Sequence, residues 1–177
     1  MTINPPYHRS NDVSRDMTLL DNSTPILALD VGDRRIGLAE CGEARLIATP
    51  LGAVRRKSLA QDMAAVVRLV REQKAGLILV GLPISLDGTL GPQARRTLSF
   101  CDALKAALAA ESLAIAVETW DERYSYVEAE RLMREAGRQP SRDKGRLDAS
   151  AAAVILQSYL DAHRRGESVG ANPNNPQ

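Results

Sequence analysis

Aromatic side chains are scarce, with one Trp, one Phe and four Tyr, 3% of 177 residues. An aromatic-rich β-sandwich is therefore excluded as the natural architecture, and packing must rest on Leu, Val, Ile and Ala, which favours an α/β fold. Cysteine is nearly absent. Cys41 and Cys101 lie far apart without a CxxC pair or histidine neighbours, so neither a disulfide framework nor a zinc site fits, and a reducing cytoplasm is expected. The two histidines, His8 and His163, fall outside every candidate site, which leaves histidine acid–base chemistry without support. No Gly-x-x-x-x-Gly-Lys-Ser/Thr loop occurs, which excludes a P-loop NTPase. A net charge of +1 excludes the uniform positive field of a histone-like binder, so any polyanion must meet a local basic face. Long apolar runs are missing, so no membrane span or membrane partner is expected. Residues 1–24 lack the apolar core of a signal peptide and are expected to form a disordered leader. Residues 164–177, rich in Asn and Pro, are expected to form a disordered tail.

What remains is enough for one domain over residues 25–163. Hydrophobic residues make up 44% of the chain against 25% charged, which provides for a sizeable core, and no internal repeat divides it. Ile26 to Val31, Arg35 to Cys41 and Glu43 to Val54 have the composition of three strands joined by short glycine-containing turns, an antiparallel meander. From Ser58 to Gln73, Leu59, Met63, Val66, Val67 and Val70 recur at three- and four-residue spacing behind a Ser58 cap, which predicts an amphipathic helix. The apolar run Gly76 to Gly81 suits a central parallel strand. A loop from Ile84 to Gly91, a helix over Pro92 to Ala110 and a strand over Leu113 to Trp120 follow. A charged helix is expected over Tyr124 to Ala136, capped by Gly137 and blocked by Pro140. Leu147 to Ala162, rich in alanine, predicts a narrow helix able to pack closely on a sheet. Three antiparallel strands, then βαβαβ and a closing helix, is the ribonuclease H-like order: α/β, with a five-stranded mixed sheet flanked by helices.

Three acidic positions stand at element ends in this order. Asp30 follows the apolar run Ile26-Leu27-Ala28-Leu29 and precedes Val31-Gly32. A strand-ending acid can simply open a turn, but turn acids rarely sit directly on a buried strand, where an unpaired charge costs several kcal/mol. Asp33, within the turn, is expected to be solvated. Asp121-Glu122-Arg123 follows the last strand. Its acids can favour a helix start, and either can face a cation, with Glu122 preferred. Asp148 enters the alanine-rich helix just after Lys144 and Arg146. Carboxylates from two strand ends and a helix start suit hard cations such as Mg²⁺ or Mn²⁺. A pair of these ions about 4 Å apart can activate water and offset leaving-group charge in phosphodiester hydrolysis. The metal candidates are thus Asp30, Asp121, Glu122 and Asp148. Arg34, Arg35, Arg123, Lys144 and Arg146 lie beside these elements and suit phosphate contacts. Asp87, in Ser85-Leu86-Asp87-Gly88-Thr89, has the setting of a turn residue.

Four ordered motifs carry a resemblance over about Pro25 to His163: Leu29-Asp30-Val31-Gly32 with Ile36-Gly37-Leu38-Ala39; Val80-Gly81-Leu82-Pro83 with Asp87-Gly88-Thr89; Asp121-Glu122-Arg123; and Lys144-Gly145-Arg146-Leu147-Asp148. The sequence resembles the YqgF family, also called RuvX, bacterial proteins first described as Holliday junction resolvases and chiefly regarded as pre-16S rRNA nucleases. The resemblance implies a cytoplasmic, metal-dependent ribonuclease H-like nuclease in 5′-end maturation of small-subunit rRNA. Its acidic catalytic triad would be Asp30, Glu122 and Asp148. Where the family often has Leu-Ser-Thr or Phe-Ser-Thr after the arginine, this chain has Tyr124-Ser125-Tyr126. Ser125 keeps its hydroxyl for a nucleic-acid contact, and the family's threonine is missing at 126. Unlike the related resolvase RuvC, no acid ends the strand Leu77 to Val80, so the second ligand must come from the next strand. Structured RNA is the expected partner. The alternatives are a resolvase of branched DNA, which would need a dimer where an RNA nuclease can act as a monomer, and a non-catalytic ribosome-assembly factor. An actin-like or sugar kinase would need a second domain for which the chain is too short.

Overall fold

The structure, a computed structural model, describes residues 24–85, 87–123 and 144–164, and of residues 144–150 the backbone alone. The expected leader, the charged helix expected over Tyr124 to Ala136 and the expected tail lie outside the described residues. Three strands come first: β1 (Ile26–Val31), β2 (Arg35–Cys41) and β3 (Thr49–Arg55). Next are α1 (Leu59–Glu72), β4 (Leu77–Leu82), α2 (Pro92–Ala110), β5 (Ala116–Asp121) and α3 (Lys144–Arg164). The sheet runs in the order β3-β2-β1-β4-β5, antiparallel from β3 to β1 and parallel from β1 to β5.

β1 and β4 lie side by side in the interior and are covered on both faces, which is why their sequences are continuous apolar runs with no polar alternation. Leu27, Leu29, Ile78 and Val80 face α1 and α2, joined by Val66, Val70, Phe100 and Leu104. Ile26, Ala28, Leu77 and Leu79 face the other way, under Ala152, Ile155, Leu156 and Tyr159 of α3. Small residues Ala28, Ala39 and Ala152 are fully buried at this second contact and let the helix lie close to the strands. Each fully buried valine or leucine in these layers contributes about 1.5–3 kcal/mol relative to exposure. Trp120 also donates from its indole N–H to Ser158 Oγ at 3.3 Å, fixing β5 to α3.

Two strand starts fall later than the sequence pattern suggests, and backbone geometry explains both. After β2 the chain turns at Gly42–Arg45, where the Arg45 N–H donates to the Gly42 carbonyl at 3.0 Å and Arg45 takes φ 47°, so pairing resumes only at Thr49. After α2, Ser112 takes φ 56° and the Leu113 N–H returns to the Leu108 carbonyl at 2.9 Å. Leu113 and Ile115 then pack on the core before pairing begins at Ala116. Their hydrophobicity reflects packing in a loop. Within β3 a bulge opposite Leu38 and Ala39 uses Gly52 at φ 117°, a conformation that glycine adopts without strain.

Candidate active site at the carboxyl end of the sheet

In an open α/β sheet, ligands gather beyond the carboxyl ends of the parallel strands. β1, β4 and β5 end together, and Asp30, Asp121 and Glu122 stand there. Side chains alternate along a strand, so Asp30 points to the same face as Ile26 and Ala28, the face covered by α3. Its partner on β2 is Gly37. On β4 the pairing of Leu29 with Val80 brings Gly81 beside it one step further on. The half-buried Asp30 thus has a glycine on each neighbouring strand, and the sheet leaves room around its carboxylate.

The carboxylate of Glu122 fills part of that room. A Cβ added at Gly81 would stand 2.7 Å from Glu122 Oε1 and 2.5 Å from Ile155 Cδ1, so glycine is what admits both side chains. Trp120, paired with Gly81, faces α3, and two residues later Glu122 returns to that face. Asp121 behaves differently. Its carboxylate accepts from Arg123 Nε at 2.9 and 3.1 Å, from Arg123 Nη2 at 2.6 Å and from the Arg123 N–H at 3.0 Å. This fork of charge-assisted bonds balances Asp121 locally.

Burial, and then the charges of Asp30 and Asp121, push the Glu122 carboxyl up from its ordinary 4.5 to about 7. Burial and crowding by like charge both disfavour the ionised form. The shift has a consequence for stability. Between pH 4.5 and 7 the folded protein keeps a proton that the unfolded chain releases, so metal-free protein loses stability as pH rises across this window and stays at the lower level above it. Urea unfolding at pH 5 and pH 8 measures the difference, and Glu122→Gln is expected to reduce it.

Beside Asp30 the Gly32–Arg35 turn is closed by a hydrogen bond from the Gly32 N–H to the Arg35 carbonyl at 2.9 Å. It bounds a cleft of about 350 Å³ lined by Asp30, Gly32, Asp33, Arg34, Arg35 and Gly37. Asp33 is exposed, as expected, with Arg96 at 3.5 Å. Arg34 is exposed and Arg35 half-buried. Arg35 pairs in register with Arg55 on the edge strand β3, a basic neighbour that the sequence reading missed because it stands outside every motif. Asp87 is an exposed turn residue that accepts from the Thr89 N–H at 2.9 Å and the Thr89 hydroxyl at 2.7 Å. Cys41 and Cys101 are buried free thiols, and burial pushes that of Cys101 up to about 11.

Of the candidate acids, then, the structure brings Asp30 and Glu122 together, with Asp121 adjacent but turned to Arg123. Among the described residues no three acidic, histidine or cysteine side chains group as a metal site. Lys144, Arg146 and Asp148 belong to the first turns of α3, where only the backbone is described, and Ser125 lies outside the described residues.

A family model described as RuvX, Holliday junction resolvase, matches residues 24–162. The chain belongs to the RuvX family. Its similarity extends to a protein of a Synechococcus species named "Putative pre-16S rRNA nuclease", 41% identical over 145 residues, which are 82% of this chain and 94% of that protein. A protein of the same name from Chloroflexus aurantiacus is 41% identical over 153 residues, 86% of this chain and 93% of that one. Among solved structures, Thermus thermophilus RuvC in complex with a Holliday junction substrate matches with a TM-score of 0.54 at 15% identity, covering 81% of this chain and 97% of RuvC. The yeast mitochondrial Holliday junction resolvase Ydc2 matches with a TM-score of 0.50 at 12% identity, covering 78% of each chain. At these identities the two likenesses concern the fold, which is that of the ribonuclease H-like resolvases. The RuvX motifs converge on the carboxyl end of the sheet: Asp30 from the first, Gly81 from the second and Glu122 from the third.

Proposed function

We propose that this RuvX chain is a divalent-metal-dependent endonuclease that hydrolyses phosphodiester bonds in structured RNA, acting in maturation of the 5′ end of 16S rRNA. The observation that carries the reading is the placement of the Glu122 carboxylate over Gly81, close enough to Asp30 that their charges oppose each other. Two hard oxygen donors whose charges oppose each other fit Mg²⁺ or Mn²⁺, which would relieve the repulsion. Asp30 and Glu122 would hold the metal, with Asp148 as the third ligand. Position 148 lies on α3 in helical line with Ala152 and Ile155, and Ile155 reaches Gly81. A bound metal of this kind supplies an activated water and offsets charge on the scissile phosphate.

The remaining residues bind and orient the polynucleotide. Arg34 and Arg35 stand on the turn beside Asp30, with Arg55 next in register, and these guanidinium groups suit the phosphates flanking the cut. Arg123 holds Asp121 and leaves the neighbouring Glu122 as the metal-facing acid. Lys144 and Arg146 of α3, with Ser125, extend the phosphate contacts. Among the described residues no helix is long and apolar enough to cross a membrane, and the buried free thiols suit a reducing interior, so a cytoplasmic site of action fits.

The test is to incubate the purified protein with precursor 16S rRNA and with a four-way DNA junction, with Mn²⁺ and with chelator. Nicking of the RNA is expected with Mn²⁺ alone. Cleavage of the junction in its place transfers the activity to branched DNA, and metal-independent binding without nicking replaces the enzyme by an assembly factor. Gly81→Ala gives a second check. Its methyl group meets only the ends of two flexible side chains, so the fold should persist while Glu122 is displaced. Cleavage should fall by on the order of 100-fold. Unchanged rates with a folded protein would separate Glu122 from the reaction.

A further inference from the structure

Cations from three separate elements meet around the Gly32–Arg35 turn. Arg34 lies in the turn itself, Arg35 opens β2, and Arg55 at the end of β3 pairs in register with Arg35. Ile36 and Val54, the next pair in register, pack on the core under α1 and α2. Side chains alternate along a strand, so Arg35 and Arg55 point to the opposite face, the one that carries Asp30. Two further cations approach from the side of the helices. The Arg56 N–H donates to the Arg34 carbonyl at 3.0 Å, which brings the chain back to the turn, and Lys57 follows at once, exposed. Arg96, near the start of α2, stands with Nη2 3.5 Å from Asp33 Oδ1.

The backbone beneath these charges is fixed. Gln93 Nε2 donates to the Val31 carbonyl and Arg56 Nη1 to the Gly32 carbonyl, each at 2.9 Å. Arg56 is balanced where it stands, because its Nε donates to Asp62 Oδ2 at 2.9 Å. Asp62 is 2% exposed, and its other oxygen accepts from the Lys57 N–H at 3.0 Å. The charges outside this buried pair face solvent. Arg34, Arg55 and Lys57 are exposed, and among the described residues none of the three has an acid within ion-pair distance. Arg96 and Asp33 are 60% and 72% exposed, and a pair so open to water is worth little. Arg96 also donates from Nη2 and Nε to Gln93 Oε1 at 2.6 and 3.2 Å, which leaves Nη1 for another acceptor.

We propose that Lys57 and Arg96 carry the phosphate contacts of Arg34, Arg35 and Arg55 onward around this turn, so that one arm of the RNA leaves Asp30 on the β2–β3 side and passes towards α1 and α2. The inference rests on the reading of the site as one that acts on RNA, and adds to it the path of the strand. Like charges gathered on a fixed backbone raise the local potential, and a polyanion that neutralises them releases its condensed counterions. The other flank has the opposite sign. Among the described residues the ends of β4 and β5 and the loop after β4 present Asp87, Asp121 and Glu122, with Arg123 forked onto Asp121. A polynucleotide backbone is thus drawn to the β2–β3 side. Contacts of this kind fix register and direction and read no bases, so the track selects for length of RNA beyond the cut, whatever its sequence.

The test measures binding of a precursor 16S rRNA fragment to the full chain by fluorescence anisotropy, with chelator present, from about 50 to 200 mM salt. Wild type is compared with Lys57→Ala, Arg96→Ala and Arg96→Lys, and with Arg68→Ala, which removes an exposed charge further along α1. All of these side chains are exposed, so the fold should persist, and circular dichroism checks it. Lys57→Ala and Arg96→Ala should each lower the slope of log affinity against log salt by about one and weaken binding by up to about tenfold at about 0.1 M salt. Arg96→Lys and Arg68→Ala should match wild type. With Mn²⁺ in place of chelator, KM for RNA should rise in the two alanine variants at the turn while kcat stays the same. Shortening the RNA on one side of the cut should erase the difference between wild type and Lys57→Ala, and shortening it on the other should keep it. Wild-type slopes in Lys57→Ala and Arg96→Ala overturn the track. An equal loss in Arg68→Ala overturns it as well, by reducing the effect to net charge, and an equal loss in Arg96→Lys does so for Arg96, by assigning the effect to the lost Gln93 bonds. Lowered slopes in a protein that nicks no RNA with Mn²⁺ overturn the nuclease reading and leave the track standing.

Discussion

Asp30→Asn is expected to lower the proposed metal-dependent cleavage of precursor rRNA by at least about a thousandfold, equivalent to about 4 kcal/mol of transition-state stabilisation, and to leave the protein folded. The substitution keeps the shape of the side chain, and Asp30 is bordered in the sheet by Gly37 and Gly81, so little packing is disturbed. What it removes is an anionic oxygen at the point where the proposed hard cation would need one. A second signature accompanies the loss. The charge of Asp30 is, after burial, the largest influence raising the Glu122 carboxyl, so in Asp30→Asn that carboxyl should titrate lower than in wild type. Cleavage assays with and without Mn²⁺, beside circular dichroism, check the first result, and carbon-13 NMR of the glutamate carboxyls checks the second. Full activity in the folded mutant would remove Asp30 from the chemistry. Rescue of a growth defect by the same mutant would point to an assembly role.

Asp62→Ala should cost about 2–4 kcal/mol of folding free energy. Breaking a buried ion pair by removing one partner typically costs about 3–5 kcal/mol, because the other charge is left uncompensated. Here the Arg56 side chain is 26% exposed, so water relieves part of that cost. The substitution also leaves the Lys57 N–H without its acceptor. In a domain of this size the loss corresponds to a fall of about 5–15 °C in the melting temperature. Urea unfolding with an unchanged slope would measure it as a change in stability alone. A change below about 1 kcal/mol would mean that Asp62 is not the anchor its burial indicates.

The strands and helices that carry the site were legible because their hydrophobic patterns are strong and local. Ile26 to Val31 and Leu77 to Val80 are uninterrupted apolar runs, and α1 combines a 3.6-residue period with a serine cap whose oxygen accepts from the Gln61 N–H. The starts of β3 and β5 were not legible, since Leu46, Ile47, Leu113 and Ile115 are strand-like in composition while the turns before pairing depend on Arg45 and Ser112 adopting positive φ. Asp30 was visible as an acid on a buried run. The choice between Asp121 and Glu122 required knowing that Arg123 folds back onto Asp121, a matter of local side-chain conformation, and that Gly81, distant in sequence, opens a space for Glu122. Arg56, Asp62 and Gln93 carried no signal at all. An arginine before a helix, an acid in its first turn and a glutamine in another are ordinary cap and surface residues until the tertiary fold brings them to one turn.

The strand order has a bearing on synthesis. β1, β2 and β3 leave the ribosome as a continuous hairpin unit, but β4, the inner parallel neighbour of β1, arrives only after α1, and β5 with Glu122 only after α2. Because domains generally fold as units, a nascent chain still lacking its last third cannot complete the sheet: it has Asp30 on β1 but neither β5 nor the Glu122 that follows it.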